Sequence, residues 1–265
     1  MKIAVIGAGR VATNLVPVLK RHGIEVVEVW SKSRASAETL AASADCRATW
    51  GSLKSVTHEA DLYLIAVKDA VLADVVKQLH EGREEALMAH TAGSMPLSLF
   101  ADAGHSRGGV FYPMQTFSKE RAVDFSKVHF FVEASQHEDE ALLTELAVHL
   151  THDEQLVHRS TSALRRRLHL AAVFACNFVN HCCTLADELL AENDLDFSVM
   201  LPLLDETVAK LHQMPPADAQ TGPAVRRDEN VMGLQRAMLA DRPDMQRLYT
   251  LLSESIMNIE KKYNS

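Results

Sequence analysis

Apolar residues follow two different rhythms along the chain. Up to about residue 160, short β-rich runs alternate with stretches of helical period. The segments "KIAVIG", "IEVVEVW", "DLYLIAV", "GVFYPM" and "HFFVEA" read as strands, "EALMAHTAGS" as a strand running into a turn, and "EQLVHRS" as a last possible strand. Between them, "VATNLVPVLKRHG" (ending at Gly23), "SAETLAASA", residues 70–80 and "EDEALLTELAVHLT" read as helices. This alternation predicts an α/β fold with a Rossmann-type, doubly wound, mostly parallel sheet. From about Thr161 the β rhythm stops. "ALRRRLHLAAVFACNFVNHCCTLADELLAE" predicts one helix of about 30 residues, about 45 Å long, whose apolar middle should be buried on most sides. "FSVMLPLLDETVAKLHQM", "ENVMGLQRAMLA" and "DMQRLYTLLSESIMNIEKKY" add further helices. The expected organisation is an α/β domain over residues 1–160 and an all-helical C-terminal domain over residues 161–265, closely packed because no linker separates them.

Composition narrows the classes. With 265 residues, 47% of them hydrophobic and 23% charged, the chain can bury a core without disulfides or metal. A net charge of −8, with Arg165 to Arg167 as the nearest thing to a basic run, argues against nucleic acid and anionic membranes as partners. The opening "MKIAVIGAGR" is broken by glycines and arginine and does not read as a signal peptide. No uninterrupted apolar run approaches the roughly 20 residues that span a bilayer, so a cytoplasmic location is expected. Cys46, Cys176, Cys182 and Cys183 form no C-x-x-C pair and read as buried, reduced thiols, with no metal site expected.

The chemistry begins at "GAGRVA", residues 7–12, which matches G-x-G-x-x-A between an apolar strand and a helix. Gly7 permits the tight turn, Gly9 lets a pyrophosphate approach the backbone, and the helix N-terminus behind Arg10 and Val11 faces the phosphates. Glu28 lies about 20 residues on, where a ribose-binding acid is sought. It falls inside the second strand, however, and ligands of such sheets bind at strand carboxyl ends. That end carries Ser31, Lys32, Ser33 and Arg34. Hydroxyls and cations suit a 2′-phosphate, so the cofactor expected is NADP. Val67, Lys68 and Thr91, at the ends of later strands, complete the expected cofactor set.

Other polar constellations are candidates for the substrate side. His90 lies beside Thr91 at a strand end, and Asp69 beside Lys68, although Asp69 also suits a cap for a helix beginning at Ala70. Pro113 is expected to stop a strand and expose Gln115, Thr116 and Ser118 in a loop. "QTGPAVRRD" breaks the helical half, and Gln220, Thr221 and Arg226 there could meet a substrate carboxylate or phosphate, unless Arg226 simply pairs with Asp228. On a regular helix His169, Cys176 and Asn180 would fall within about 40° of one another, with Asn177 about 80° from His169. This polar stripe nominates His169 as proton donor with Asn177 and Asn180 beside it, and His90 as the alternative donor; the bland reading is that the stripe only bonds neighbouring helices.

Four motifs in order, "HTAGS", "YPMQTFS", "RLHLAAVFACNFVNH" and "QTGPAVRRD", carry a resemblance that runs along the whole chain. The chain resembles a bacterial family of NADP oxidoreductases that couple a Rossmann-like domain to a helical C-terminal domain of unknown function. That family is similar in layout to pyrroline-5-carboxylate reductase and to the 6-phosphogluconate and β-hydroxyacid dehydrogenases. The resemblance implies hydride transfer and a homodimer built through the helical domain. One departure matters: β-hydroxyacid dehydrogenases carry a lysine four residues before an asparagine on the first long helix, and Val173 stands there before Asn177. The function expected is an NADP(H)-dependent oxidoreductase moving a hydride to or from a small polar carbonyl, hydroxy or imine compound at an interdomain cleft. The alternative is a non-catalytic NADP-binding sensor or interaction protein.

Overall fold

The computed structural model describes residues 1–263, with side chains through Asn258. Eight strands form one sheet: β1 (Lys2–Ile6), β2 (Glu25–Ser31), β3 (Arg47–Trp50), β4 (Leu62–Ile65), β5 (Leu87–His90), β6 (Gly108–Met114), β7 (His129–Ala134) and β8 (Val157–Arg159). Their spatial order is β3-β2-β1-β4-β5-β6-β7-β8, and every pairing is parallel except β6 with β7. The chain winds outward from β1 to β3, then returns to the other side of β1 with β4. The adjacent carboxyl ends of β1 and β4 are therefore the topological switch point, where open α/β sheets bind ligands.

Strand alternation sets the two cores. Ile3 and Val5 face one layer, with Ala12, Leu15 and Leu19 of α1 (Arg10–Arg21), Leu40 of α2 (Arg34–Ala42) and Leu143, Leu146 and Leu150 of α5 (His137–Thr151). Ala4 and Ile6 face the other, with Leu72, Val76 and Leu79 of α3 (Asp69–His80) and Leu99 and Phe100 of α4 (Ser98–Asp102). Burial on both faces is what makes these strands read as continuous apolar runs. The α1 turn closes as its sequence demands: Gly23, at φ +73, takes the left-handed position after the helix.

Several boundaries differ from the sequence expectation. β3 carries no continuous apolar run, being four residues at a sheet edge with only Thr49 buried. Pro113 does not stop its strand: β6 runs on to Met114, and Pro113 pairs with Phe130 across the antiparallel edge. Helix α3 starts at Asp69 rather than Ala70.

The α/β region is followed by α6 (Ser162–Ala172), a π-helical stretch at Val173–Phe178, and α7 (Val179–Ala191), one continuous helical run of 30 residues. Helices α8 (Leu201–Leu211), α9 (Glu229–Met238) and α10 (Pro243–Tyr263) come after it. One expectation fails on the long helix. Its most apolar 18-residue window has a mean hydropathy of 1.3 and none of it is buried, so the girth that predicted burial is uncovered by its own chain. By length and composition the helix is also apolar enough to cross a membrane; polar residues interrupt its runs without lowering the average enough. Cys176 and Cys182 share this exposure, so they are free thiols but not buried ones. The chain divides into two compact units, Met1–Cys176 and Asn177–Ser265, with the division inside the π-helical stretch.

Candidate active site

Carboxyl ends of four strands converge on one cavity of about 690 Å³ in the first unit. Gly9, Arg10 and Val11 come from the β1–α1 turn, and Ala66, Val67, Lys68 and Asp69 from the end of β4. Thr91, Ala92 and Gly93 follow β5; Tyr112, Pro113 and Gln115 close β6; and His169 projects from α6. Of the sequence candidates, the fold thus assembles Gly9, Arg10, Val11, Val67, Lys68, Thr91, Gln115 and His169 around one space.

The turn is shaped for a dinucleotide. Gly7 adopts φ +117, and a Cβ there would lie 2.3 Å from the Ala66 carbonyl oxygen, so only glycine lets β1 and β4 approach this closely. A Cβ on Gly9 would meet nothing nearer than that same oxygen at 3.7 Å, which leaves the backbone open to a ligand. Helix α1 has no side-chain cap and no acid in its first turn, so its N–H groups and partial positive charge face the opening unopposed. The residues present fit a pyrophosphate. Glu28 does not serve a ribose: it is fully buried, accepting from the Thr49 hydroxyl and from Thr57 N at 2.8 Å.

Ser31, Lys32, Ser33 and Arg34 lie at the end of β2 and do not line this cavity. Ser31 is buried, whereas Lys32, Ser33 and Arg34 are exposed. Ser33 caps α2, and Arg34 pairs with Glu38 at 2.7 Å while stacking 4.7 Å from the Trp50 ring. That exposed pair is worth little.

The chemical end of the cavity holds Tyr112 and His169. The Tyr112 hydroxyl and His169 Nδ1 are 3.2 Å apart, with the rings edge to face. Gly93 makes room for them: a Cβ there would lie 2.7 Å from Nδ1 and 2.8 Å from Tyr112 Cζ. Burial pushes the Tyr112 hydroxyl pKa up, with nearby Arg165 opposing. Arg165 fixes α6 against the sheet. It is fully buried, ion-paired to Glu133 of β7, and donates to the Met95 carbonyl. Ser162 adds a bond to Glu133 at 2.8 Å and accepts from Leu97 N at 2.9 Å. Asp69 accepts from the Ser94 hydroxyl.

Other candidates fall elsewhere. His90 is fully buried at the end of β5 and does not line the cavity; it stacks on Phe100, and its Nδ1 accepts from Ala92 N at 3.1 Å. Desolvation, helped by the Arg165 charge, lowers its pKa to about 3, so this buried site disfavours the imidazolium form that would donate a proton. Thr116 is not on the cavity wall; its N–H donates to Gln115 Oε1 at 2.8 Å. Asn177 and Asn180 belong to the second unit and are exposed. The helical-wheel argument that joined them to His169 does not hold, because the π-helical stretch between changes the angle per residue. Gln220, Thr221 and Arg226 lie in the loop between α8 and α9, where Gln220 donates to the Thr221 carbonyl at 3.0 Å and Asp228 caps α9. Tyr112, Gly93 and Lys119 were not nominated, although the first two stand inside quoted motifs; their signal is spatial.

Residues 2–92 match the family described as NADP oxidoreductase coenzyme F420-dependent, and residues 128–256 match a domain of unknown function, DUF2520. No curated protein matches the chain. Among solved structures, a Bacteroides fragilis protein assigned as an NADP oxidoreductase is 50% identical over 97% of this chain and 98% of its own, with a TM-score of 0.91. An imine reductase from Myxococcus stipitatus in complex with NADP+ shares the fold, at 14% identity over 99% of this chain and 95% of its own (TM-score 0.69). So does a pyrroline-5-carboxylate reductase from Coxiella burnetii, at 18% identity over 98% and 97% (TM-score 0.59). The chain belongs to the family of NADP oxidoreductases that join such a nucleotide-binding region to a DUF2520 domain.

Proposed function

We propose that this oxidoreductase reduces a small polar carbonyl or imine compound with NADPH in the cavity at the switch point, or runs the reverse oxidation. Gly7, Gly9, Arg10 and Val11 would hold the pyrophosphate; Ser31, Lys32, Ser33 and Arg34 the 2′-phosphate; and Val67, Lys68 and Thr91 the nicotinamide half. The cofactor supplies a hydride. The receiving oxygen or nitrogen then needs a proton from a donor whose pKa lies near 7. The observation that carries the reading is the Tyr112–His169 pair on the cavity wall. As a proton donor His169 is an imidazolium: its Nδ1–H donates to the Tyr112 hydroxyl oxygen, and its Nε2–H is left to serve a substrate, which takes the proton and leaves the neutral ring. Gln115 would make a substrate contact. Asn177, Asn180, Thr116, Gln220, Thr221 and Arg226 remain substrate-side proposals, resting on the sequence alone. A cavity walled by titratable groups favours an enzyme over a sensor. A homodimer through the helical unit, in the cytoplasm, belongs to the same proposal, supported by the exposed apolar surface of α8 and α9.

A metabolite-pool screen that follows loss of NADPH absorbance identifies the substrate class. With a substrate in hand, His169→Ala is expected to lower turnover about 10²-fold or more with NADPH affinity unchanged. Full turnover in that variant would remove His169 from the chemistry.

A further inference from the structure

The loop after β6 is held with more care than its exposure requires. It runs from Gln115 to the short helical turn at Phe125–Lys127. A single buried side chain on α1, Asn14, ties it down twice: its amide nitrogen donates to the Ser118 carbonyl at 2.7 Å, and its amide oxygen accepts from Val123 N at 3.1 Å. The same nitrogen donates to the Arg10 carbonyl at 2.9 Å, so the tether starts from the first turn of α1. A buried asparagine spending three bonds this way fixes where the loop crosses the helix.

Lys119 lies between the two tie points. It lines the cavity at the switch point with Gly9 and Arg10, and a second cavity of about 510 Å³ with Ala8 and Thr13. It thus flanks the uncapped first turn of α1. The helix dipole disfavours a cation at that end. A lysine tethered there becomes favourable when an anion lies between the two.

We infer that Lys119 binds the pyrophosphate of the dinucleotide and that Asn14 is the residue that positions it. This rests on the cofactor reading above. The bond would be a charge-assisted one between an ammonium and a phosphate oxygen, added to those from the backbone of the glycine turn.

The test is NADPH titration of the full chain by fluorescence. Lys119→Met is expected to raise the Kd about 10-fold or more, the worth of one hydrogen bond to a charged group. Lys119→Arg should retain most of the affinity. Asn14→Ala should raise the Kd comparably, and should add little in the Lys119→Met background, because both changes remove one contact. A purely structural Asn14 would give additive losses, which overturns the positioning role. Asn14→Asp, which keeps the Val123 acceptor and loses both donations, replaces the alanine variant if that one does not fold. Competition by 2′-AMP, which carries the 2′-phosphate without the pyrophosphate, should be unchanged by Lys119→Met. Equal weakening of 2′-AMP would move Lys119 to the 2′-phosphate, and an unchanged NADPH Kd would remove it from the site; either overturns the inference. A wild-type protein that binds no NADPH would instead overturn the cofactor reading itself.

Discussion

Gly7 and Gly9 answer differently to one added methyl group. At Gly7 the methyl meets the Ala66 carbonyl at 2.3 Å on a backbone at φ +117, so Gly7→Ala should cost more than about 2 kcal/mol of stability, read from chemical denaturation. At Gly9 the nearest atom is 3.7 Å away, so Gly9→Ala should fold normally while the methyl occupies the space of a phosphate and weakens NADPH binding. Equal stability losses in the two variants would contradict this division. His90 gives a pH signature. Its folded pKa is lowered from 6.5 to about 3, so below pH 6.5 the unfolded chain takes up a proton that the folded ring refuses. Its contribution is complete above pH 6.5 and is lost as pH falls toward 3, by roughly 1.4 kcal/mol per unit. His90→Asn, which can still accept from Ala92 N, should flatten the stability profile between those limits. An unchanged profile would show that the buried ring does not contribute.

Elements were legible where one period ruled and obscure where two elements had to meet. Strands β1, β2, β4, β6 and β7 announce themselves because both faces are buried, and the glycine turn because its spacing is local. β3 is short, half-exposed and held by its neighbours, so its pattern carries little information. The long helix misled for the opposite reason: its girth records what it can bury, and the π-helical stretch breaks the angular arithmetic. The Tyr112–His169 contact joins residues 57 apart in sequence, and the Asn14 tethers span more than a hundred, so neither leaves a local trace. The anchoring of α6 is equally non-local. Arg165→Met should remove the only cation facing Glu133 among the described ion pairs and cost about 3–5 kcal/mol, measured by denaturant unfolding. A loss under about 1 kcal/mol would mean that α6 is held by apolar contacts instead.

At the scale of the molecule, the helical unit presents more apolar surface than a lone chain explains. Leu203, Leu234 and Met238 are 65%, 70% and 80% exposed, on α8 and α9. Scattered exposed leucines are ordinary, but Leu234 and Met238 stand four residues apart on one face of α9 and make an exposed apolar strip that suits an interface. Sedimentation should therefore show a dimer at micromolar concentration, and Leu234→Glu with Met238→Glu should shift it toward monomer. A concentration-independent monomer would leave that surface without its partner.

The central claim is that the switch-point cavity is an NADP site. It is tested most directly by titrating the wild-type protein with NADPH and with NADH under one set of conditions. The account predicts tight NADPH binding and NADH binding at least about 10-fold weaker, because Ser31, Lys32, Ser33 and Arg34 offer donors to a 2′-phosphate that NADH lacks. Equal affinities, or no binding of either, would contradict it.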